Sequence, residues 1–134
     1  FANVREKMSL CYYCYARYER LKGLILVESG IEEDNFAKAR DEILHQLSQL
    51  QAGQVTADEL KFAALSLSNS YRELSDTAPG IAQWYLGQAL DGYPDFSPAQ
   101  AARRAASLSV EDIVRAARHI RLATVYLLAG SGKK

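Results

Sequence analysis

The sequence contains few of the residues on which enzyme chemistry usually depends. There are two cysteines, two histidines and one tryptophan among 134 residues. Sixteen basic and sixteen acidic side chains cancel, so no net charge attracts nucleic acid or an anionic membrane. No apolar run approaches the roughly 20 residues of a membrane-spanning helix, and the first residues lack the pattern of a signal peptide. With 49% hydrophobic residues, the composition is typical of one folded domain of modest size.

The two cysteines, Cys11 and Cys14, form a C-x-x-C motif. Such a pair can be a redox dithiol or half of a zinc site. A redox cysteine needs a helix N-terminus to lower its pKa, whereas this pair lies in a strand-like run. Residues three apart on a strand point to opposite faces, and zinc would need two further ligands. We therefore expect two reduced, structural cysteines, which fits a cytoplasmic protein.

The spacing of apolar residues and turn signals predicts an α+β domain. We expect residues 1–8 to end a helix, residues 10–31 to form a β-hairpin, residues 35–119 to be helical and residues 122–129 to form a strand. The expected fold is a small antiparallel sheet, made of the hairpin and the C-terminal strand, covered by four helices. Because Phe1 already lies in the predicted helix with no start signal before it, we expect a piece of a larger protein.

The second strand of the predicted hairpin begins with the apolar run Leu24-Ile25-Leu26-Val27. An apolar strand left at the edge of a sheet invites association with another chain. Neighbouring strands are therefore expected, either from an earlier part of the domain or from another copy. The second possibility predicts homo-association, as a dimer paired along strands.

We find no catalytic or cofactor-binding motif in the sequence. Catalytic zinc needs three protein ligands, but His45 and His119 are far apart and no H-x-x-E-H motif is present. Glu42 and His45 share a helix face, which is more typical of a solvated surface than of a metal site. No G-x-S-x-G motif or phosphate-binding glycine loop occurs. We expect no catalytic residue, metal or cofactor in this chain, which is not an enzyme by itself.

The opening of the chain carries the one pair of residues with a chemical interpretation. Arg5 is predicted near a helix end and Tyr12 a few residues into a strand. An arginine can hold a carboxylate or a peptide carbonyl, a tyrosine hydroxyl can donate to a developing oxyanion, and a strand edge can accept an extended peptide. The alternative, which residue types alone favour, is that Arg5 pairs with a local acid and Tyr12 packs in the sheet.

This opening resembles a stretch of a known family. The pattern R-E-K-x-x-L-x-Y occurs in the C-terminal domain of pitrilysin/insulinase-type zinc peptidases, and the following strand and the last helix and strand of the chain are similar as well. The matching residues of the pattern are Arg5, Glu6, Lys7, Leu10 and Tyr12. The resemblance implies that the chain is part of a metal-free domain, half of a larger two-layer α/β peptidase-like domain.

The resemblance also implies a function and partners. The chain would be a non-catalytic part that binds peptide or unfolded protein through Arg5 and Tyr12 and closes a chamber. Zinc is expected only in another domain or subunit that carries H-x-x-E-H. Members of this family without zinc also exist, so the alternative is a degenerate, non-peptidase homologue that acts as a structural or assembly partner. A third, independent hypothesis is a redox enzyme that uses Cys11 and Cys14.

Overall fold

A computed structural model describes residues 11–130 of the chain. Within these residues a two-stranded antiparallel sheet is followed by five α-helices, which agrees with the predicted α+β class. The elements are β1 (Cys11–Glu19), β2 (Leu24–Ile31), α1 (Phe36–Gln51), α2 (Ala57–Glu73), α3 (Ala78–Leu90), α4 (Pro98–Ala106) and α5 (Val110–Ala117). There are five helices rather than four because α4 and α5 each begin at a serine of their own. The helix expected over residues 1–8 lies outside the described residues.

The chain divides into two compact units. The first contains the hairpin, α1 and the residues from Ala116 onward, and the second is Gly53–Arg115. In the first unit the strands are joined by a single 3₁₀ turn, Arg20–Lys22, which ends at Gly23. Gly23 has a φ of 62°, a left-handed conformation that glycine adopts without the steric cost of a Cβ atom. The turn expected at this place is confirmed.

A small core holds the hairpin and α1 together in the first unit. Cys14 of β1 and Ala39 of α1 are buried, and Cys11, Ile31 and Ile43 pack against them. At the other end of α1, the Gln51 side-chain amide donates to the carbonyl oxygens of Ala117 and Ile120, at 3.1 and 3.2 Å. These bonds tie the end of α1 to the chain that leaves α5.

The second unit is built on the packing of α2 against α4. Three alanines of α4 are buried, and their small side chains allow the two helix backbones to approach closely; they are Ala101, Ala102 and Ala105. Trp84 of α3 packs edge-on against Tyr71 of α2, with ring centres 5.4 Å apart. Its indole N–H donates to the Phe96 carbonyl oxygen at 2.7 Å. This bond satisfies the polar atom of a large, partly buried side chain.

Reciprocal side-chain caps set where the helices of this unit begin. At α2 the Glu59 N–H donates to Thr56 Oγ1 at 3.2 Å, and the Thr56 N–H donates to Glu59 Oε2 at 2.9 Å. The same arrangement joins Ser97 to Gln100 at α4. These bonds satisfy backbone N–H groups that have no partner inside a helix. The start predicted at Thr56 from the sequence is confirmed.

Residues 122–129 do not form the expected strand in the described chain. The sheet contains β1 and β2 alone among residues 11–130, and no ladder reaches the segment after Arg121. A run of β-forming residues becomes a strand only when a neighbouring strand supplies hydrogen-bond partners. The sequence pattern is therefore present without the pairing that a strand requires.

We expect Thr56→Ala to destabilise the second unit by about 1 kcal/mol, because the Glu59 N–H loses its acceptor at the start of α2. Thr56→Ser keeps the hydroxyl and should retain most of the stability. Urea denaturation followed by circular dichroism measures both variants. Equal stabilities of the two variants would contradict a capping role for the hydroxyl.

Candidate functional site

Tyr12 is the extra residue of a β-bulge at the start of β1. Cys11 lies opposite Ile31 and Tyr13 lies opposite Gly30, so that Tyr12 has no partner of its own on β2. A bulge bends the strand and redirects the side chains on either side of it. It places Tyr12, which is 66% exposed, at the surface of the hairpin.

The bulge also corrects the expectation about the cysteines. Three residues apart on a regular strand, Cys11 and Cys14 would face opposite ways, but both pack in the cluster around Ala39. The extra residue between them restores the same face. Both thiols are free, and burial raises the pKa of the Cys14 thiol. A redox dithiol needs a lowered pKa, so this environment supports structural cysteines and weighs against the redox hypothesis.

The hydroxyl of Tyr12 donates a hydrogen bond to Glu32 Oε1 at 3.0 Å. This bond and the negative charge of Glu32 raise the pKa of the Tyr12 phenol, because both favour its protonated form. Tyr12 is thus held as a neutral hydrogen-bond donor, and its exposed carboxylate partner lies immediately after β2. No local sequence pattern marks Glu32, so it was not predicted. Extending the hairpin ladder back from its turn would have placed Tyr12 near Ile31 and Glu32.

A second tyrosine–carboxylate pair lies farther along the hairpin. Tyr15 is directly opposite Glu28 and its hydroxyl donates to that carboxylate. The ring of Tyr13 is stacked on that of Tyr15, with centres 6.0 Å apart. Tyr13 also covers Gly30, where a Cβ atom would lie only 2.3 Å from the Tyr13 ring. Two tyrosines of β1, Tyr12 and Tyr15, therefore each donate their hydroxyl to a glutamate.

Only one of the two predicted site residues can be located. Tyr12 lies on β1 beside Glu32, whereas Arg5 is outside the described residues. In the part of the chain that the structure describes, no group of three or more histidine, cysteine, aspartate or glutamate residues could hold a metal. Glu42 accepts a hydrogen bond from the Gln46 amide at 2.7 Å. The described histidines, cysteines and carboxylates therefore do not form the ligand set of a catalytic zinc ion.

Among the helices of residues 11–130, none has both the length and the apolar character of a membrane-spanning helix.

Comparison with known proteins identifies the family. The model of the peptidase M16 inactive domain matches residues 1–67, half of the chain. The chain belongs to the peptidase M16 inactive-domain family. This result confirms the expected resemblance to the metal-free domain of such metallopeptidases, and the matched half of the chain includes the hairpin with Tyr12 and Glu32.

Two similar proteins match the chain beyond residue 67. The "Probable inactive metalloprotease YmfF" of Bacillus subtilis (strain 168) is 34% identical over 131 residues, which are 98% of this chain and 30% of that protein. A conserved protein from Enterococcus faecalis V583, known from a crystal structure, shares the fold with a TM-score of 0.80 at 23% identity. The similarity covers 88% of this chain and 28% of that protein. The chain thus spans less than a third of each relative.

Glu32→Gln should lower the pKa of Tyr12 toward its ordinary value, because the substitution removes the charge that favours the protonated phenol. The pKa is measured from the pH dependence of the ¹³Cζ shift of tyrosine, assigned with Tyr12→Phe. Glu28→Gln removes the same charge from the same hairpin but contacts Tyr15, and should leave Tyr12 unchanged. An unchanged Tyr12 pKa in Glu32→Gln would refute the contact.

Gly30→Ala should destabilise the first unit by about 1 kcal/mol, since the new methyl group displaces the Tyr13 ring from its place over the strand. The loss should largely disappear when Tyr13 is already alanine, which a double-mutant cycle of unfolding free energies tests. If the losses of unfolding free energy caused by the two substitutions simply add, the packing of the Tyr13 ring does not depend on the absence of a side chain at Gly30.

Proposed function

We propose that this chain is the non-catalytic, peptide-binding part of a larger metallopeptidase-like protein, in which it also helps to close a chamber around the substrate. The observation that carries the proposal is the exposed Tyr12 hydroxyl, held as a donor by Glu32 at the beginning of an edge strand. Membership in a family named for its inactive domain supports a role in binding rather than in bond cleavage.

The geometry of β1 suits an extended peptide. In the described residues, one side of β1 pairs with β2 and no strand pairs with its other side. A peptide added along that side would bond to backbone N–H and C=O groups. The Tyr12 hydroxyl, which contacts Glu32 just beyond the end of β2, has one proton. It can donate to a peptide carbonyl once Glu32 accepts instead from a peptide N–H, and the two residues exchange partners without losing a hydrogen bond.

Residues and partners outside the described part of the chain would complete the proposed site. Arg5 would add a forked donor for a carboxylate or carbonyl of the substrate. A zinc ion and its H-x-x-E-H motif would belong to another domain or a partner subunit, where cleavage would occur. The substrate would be a peptide or an unfolded protein. The two free cysteines support a reducing compartment, and we propose the cytoplasm.

A second candidate function is a structural or assembly partner without peptidase activity. It is favoured by the relative from Bacillus subtilis, which is described as a probable inactive metalloprotease. In that case the hairpin would keep its structure but would bind no substrate. Zinc content and peptide cleavage of the full-length protein, measured with and without its partner subunit, separate the two functions. Stoichiometric zinc and cleavage support the first, and the lack of both supports the second.

If the first function holds, Tyr12→Phe should weaken peptide binding by the full-length protein about three- to tenfold, the equivalent of one hydrogen bond. Arg5→Ala should weaken it further, because a charged donor is lost. Tyr18→Phe is the matched control, since Tyr18 is equally exposed on β1 but lies far along the strand from Glu32. Binding is measured by fluorescence anisotropy of a labelled extended peptide. Equal affinities of Tyr12→Phe and Tyr18→Phe would refute the role of Tyr12.

A further inference from the structure

The Tyr12 hydroxyl and the Glu32 carboxylate form a hydrogen-bond donor and an acceptor that lie side by side. The hydroxyl oxygen is 3.0 Å from Glu32 Oε1. The bulge places Tyr12 there, because Cys11 and Tyr13 on either side of it both pair with β2 while Tyr12 has no partner of its own. The donor is thus carried by a side chain whose backbone is fixed at both ends.

The backbone of Glu32 is fixed as well. Ile31, the residue before it, pairs with Cys11 at the end of the ladder. The carbonyl oxygen of Glu32 accepts from the Asn35 N–H at 2.9 Å, in the turn that leads into α1. Glu32 therefore lies between a ladder and a turn, with an extended backbone. The positions of both partners depend on contacts within the hairpin and the turn after it, and not on a further strand.

One residue of an extended peptide carries the groups that match this donor and acceptor. In an antiparallel ladder, a hydrogen-bonded residue uses both its N–H and its C=O toward the residue opposite. A matching partner must therefore offer one donor and one acceptor next to each other, as Tyr12 and Glu32 do. The carboxylate can accept several hydrogen bonds, whereas the hydroxyl has a single proton to donate.

The single proton of Tyr12 couples the two contacts with a peptide. When the hydroxyl donates to a peptide carbonyl, Glu32 loses the donor that it has in the free protein. The peptide N–H beside that carbonyl replaces the lost donor, so that no hydrogen bond is given up. A residue with a C=O but no N–H makes one contact and breaks another. Proline is such a residue, since its nitrogen carries no hydrogen.

We propose that Tyr12 and Glu32 together bind the C=O and the N–H of one residue of an extended peptide, and that Glu32 is the specificity-determining residue that disfavours proline at this position. This recognition rests on the proposed peptide binding and names the class of ligand that it favours. The ligand is an extended peptide with a secondary amide at one defined place. Because only main-chain groups are bound there, the side chain of the bound residue can vary.

An amide-to-ester scan tests this recognition. Each ester replaces one N–H of an uncharged, unstructured, labelled peptide of non-repeating sequence, and fluorescence anisotropy measures its binding to the full-length protein. We expect one position at which the ester weakens binding to the wild type about three- to tenfold, the equivalent of one hydrogen bond. With Glu32→Ala, the same ester should change the affinity by no more than about twofold, because the acceptor is already absent. Proline at that position should likewise cost less affinity in Glu32→Ala than in the wild type.

Glu28→Ala is the matched control. It removes a carboxylate of the same hairpin that accepts from a different tyrosine, Tyr15. The position that is sensitive to the ester in the wild type should remain sensitive in Glu28→Ala, and circular dichroism verifies that both variants are folded. If Glu32 had only a structural role, Glu32→Ala would weaken the binding of every peptide of the scan by the same factor, and this result would overturn the proposed recognition.

Tyr12→Phe separates a failure of this recognition from a failure of the proposed function. If Tyr12→Phe weakens binding but no position loses its ester sensitivity in Glu32→Ala, peptide binding stands and the recognition of an N–H by Glu32 is refuted. If Tyr12→Phe binds every peptide as tightly as the wild type, the proposed function fails and the recognition fails with it.

Discussion

One extra residue in β1 decides how the hairpin presents its side chains. Because Tyr12 has no partner on β2, the alternation of faces shifts by one position between Cys11 and Tyr13. Cys11 and Cys14 then share the face that packs on Ala39, and Tyr12 is left at the surface. A regular ladder would have turned Cys11 away from this small core. The same bulge therefore brings Cys11 into the packing of the first unit and exposes Tyr12, through which we propose that peptide binds.

The contact between Tyr12 and Glu32 matters for presentation rather than for stability. Both groups are at the surface, where a hydrogen bond replaces similar bonds to water and its net contribution to folding is small. Its effect is to keep a neutral phenol in one place, with a defined proton to donate. Stability of the first unit comes instead from the buried contact of Cys14 with Ala39, whose inert, buried thiol is suited to packing and not to redox chemistry.

The sequence predicts those features that depend on local interactions. The start of α2 at Thr56 and the turn ending at Gly23 follow from residues within a few positions of each other. The bulge does not, because no glycine or proline marks it and because it exists only through the pairing of β1 with β2. Glu32 was missed for the same reason, as its relation to Tyr12 spans 20 residues. Residues 122–129 show the converse, a strand pattern that local sequence supplies and that only a partner can complete.

The two edges of the hairpin differ in chemistry, and the difference bears on the proposed peptide binding. The β1 edge carries a bulge at Tyr12 and the ion pair of Arg17 with Glu19, and a peptide proposed to bind there would be held reversibly by hydrogen bonds. The β2 edge is regular, apolar and uncharged over its first four residues, a surface that is stabilised when a neighbouring strand removes it from water. A strand added to β2 leaves the edge of β1 accessible, and it also lengthens the sheet on which β1 rests. Because a two-stranded sheet alone is only marginally stable, a neighbouring strand on β2 would make the β1 edge a firmer template for a peptide.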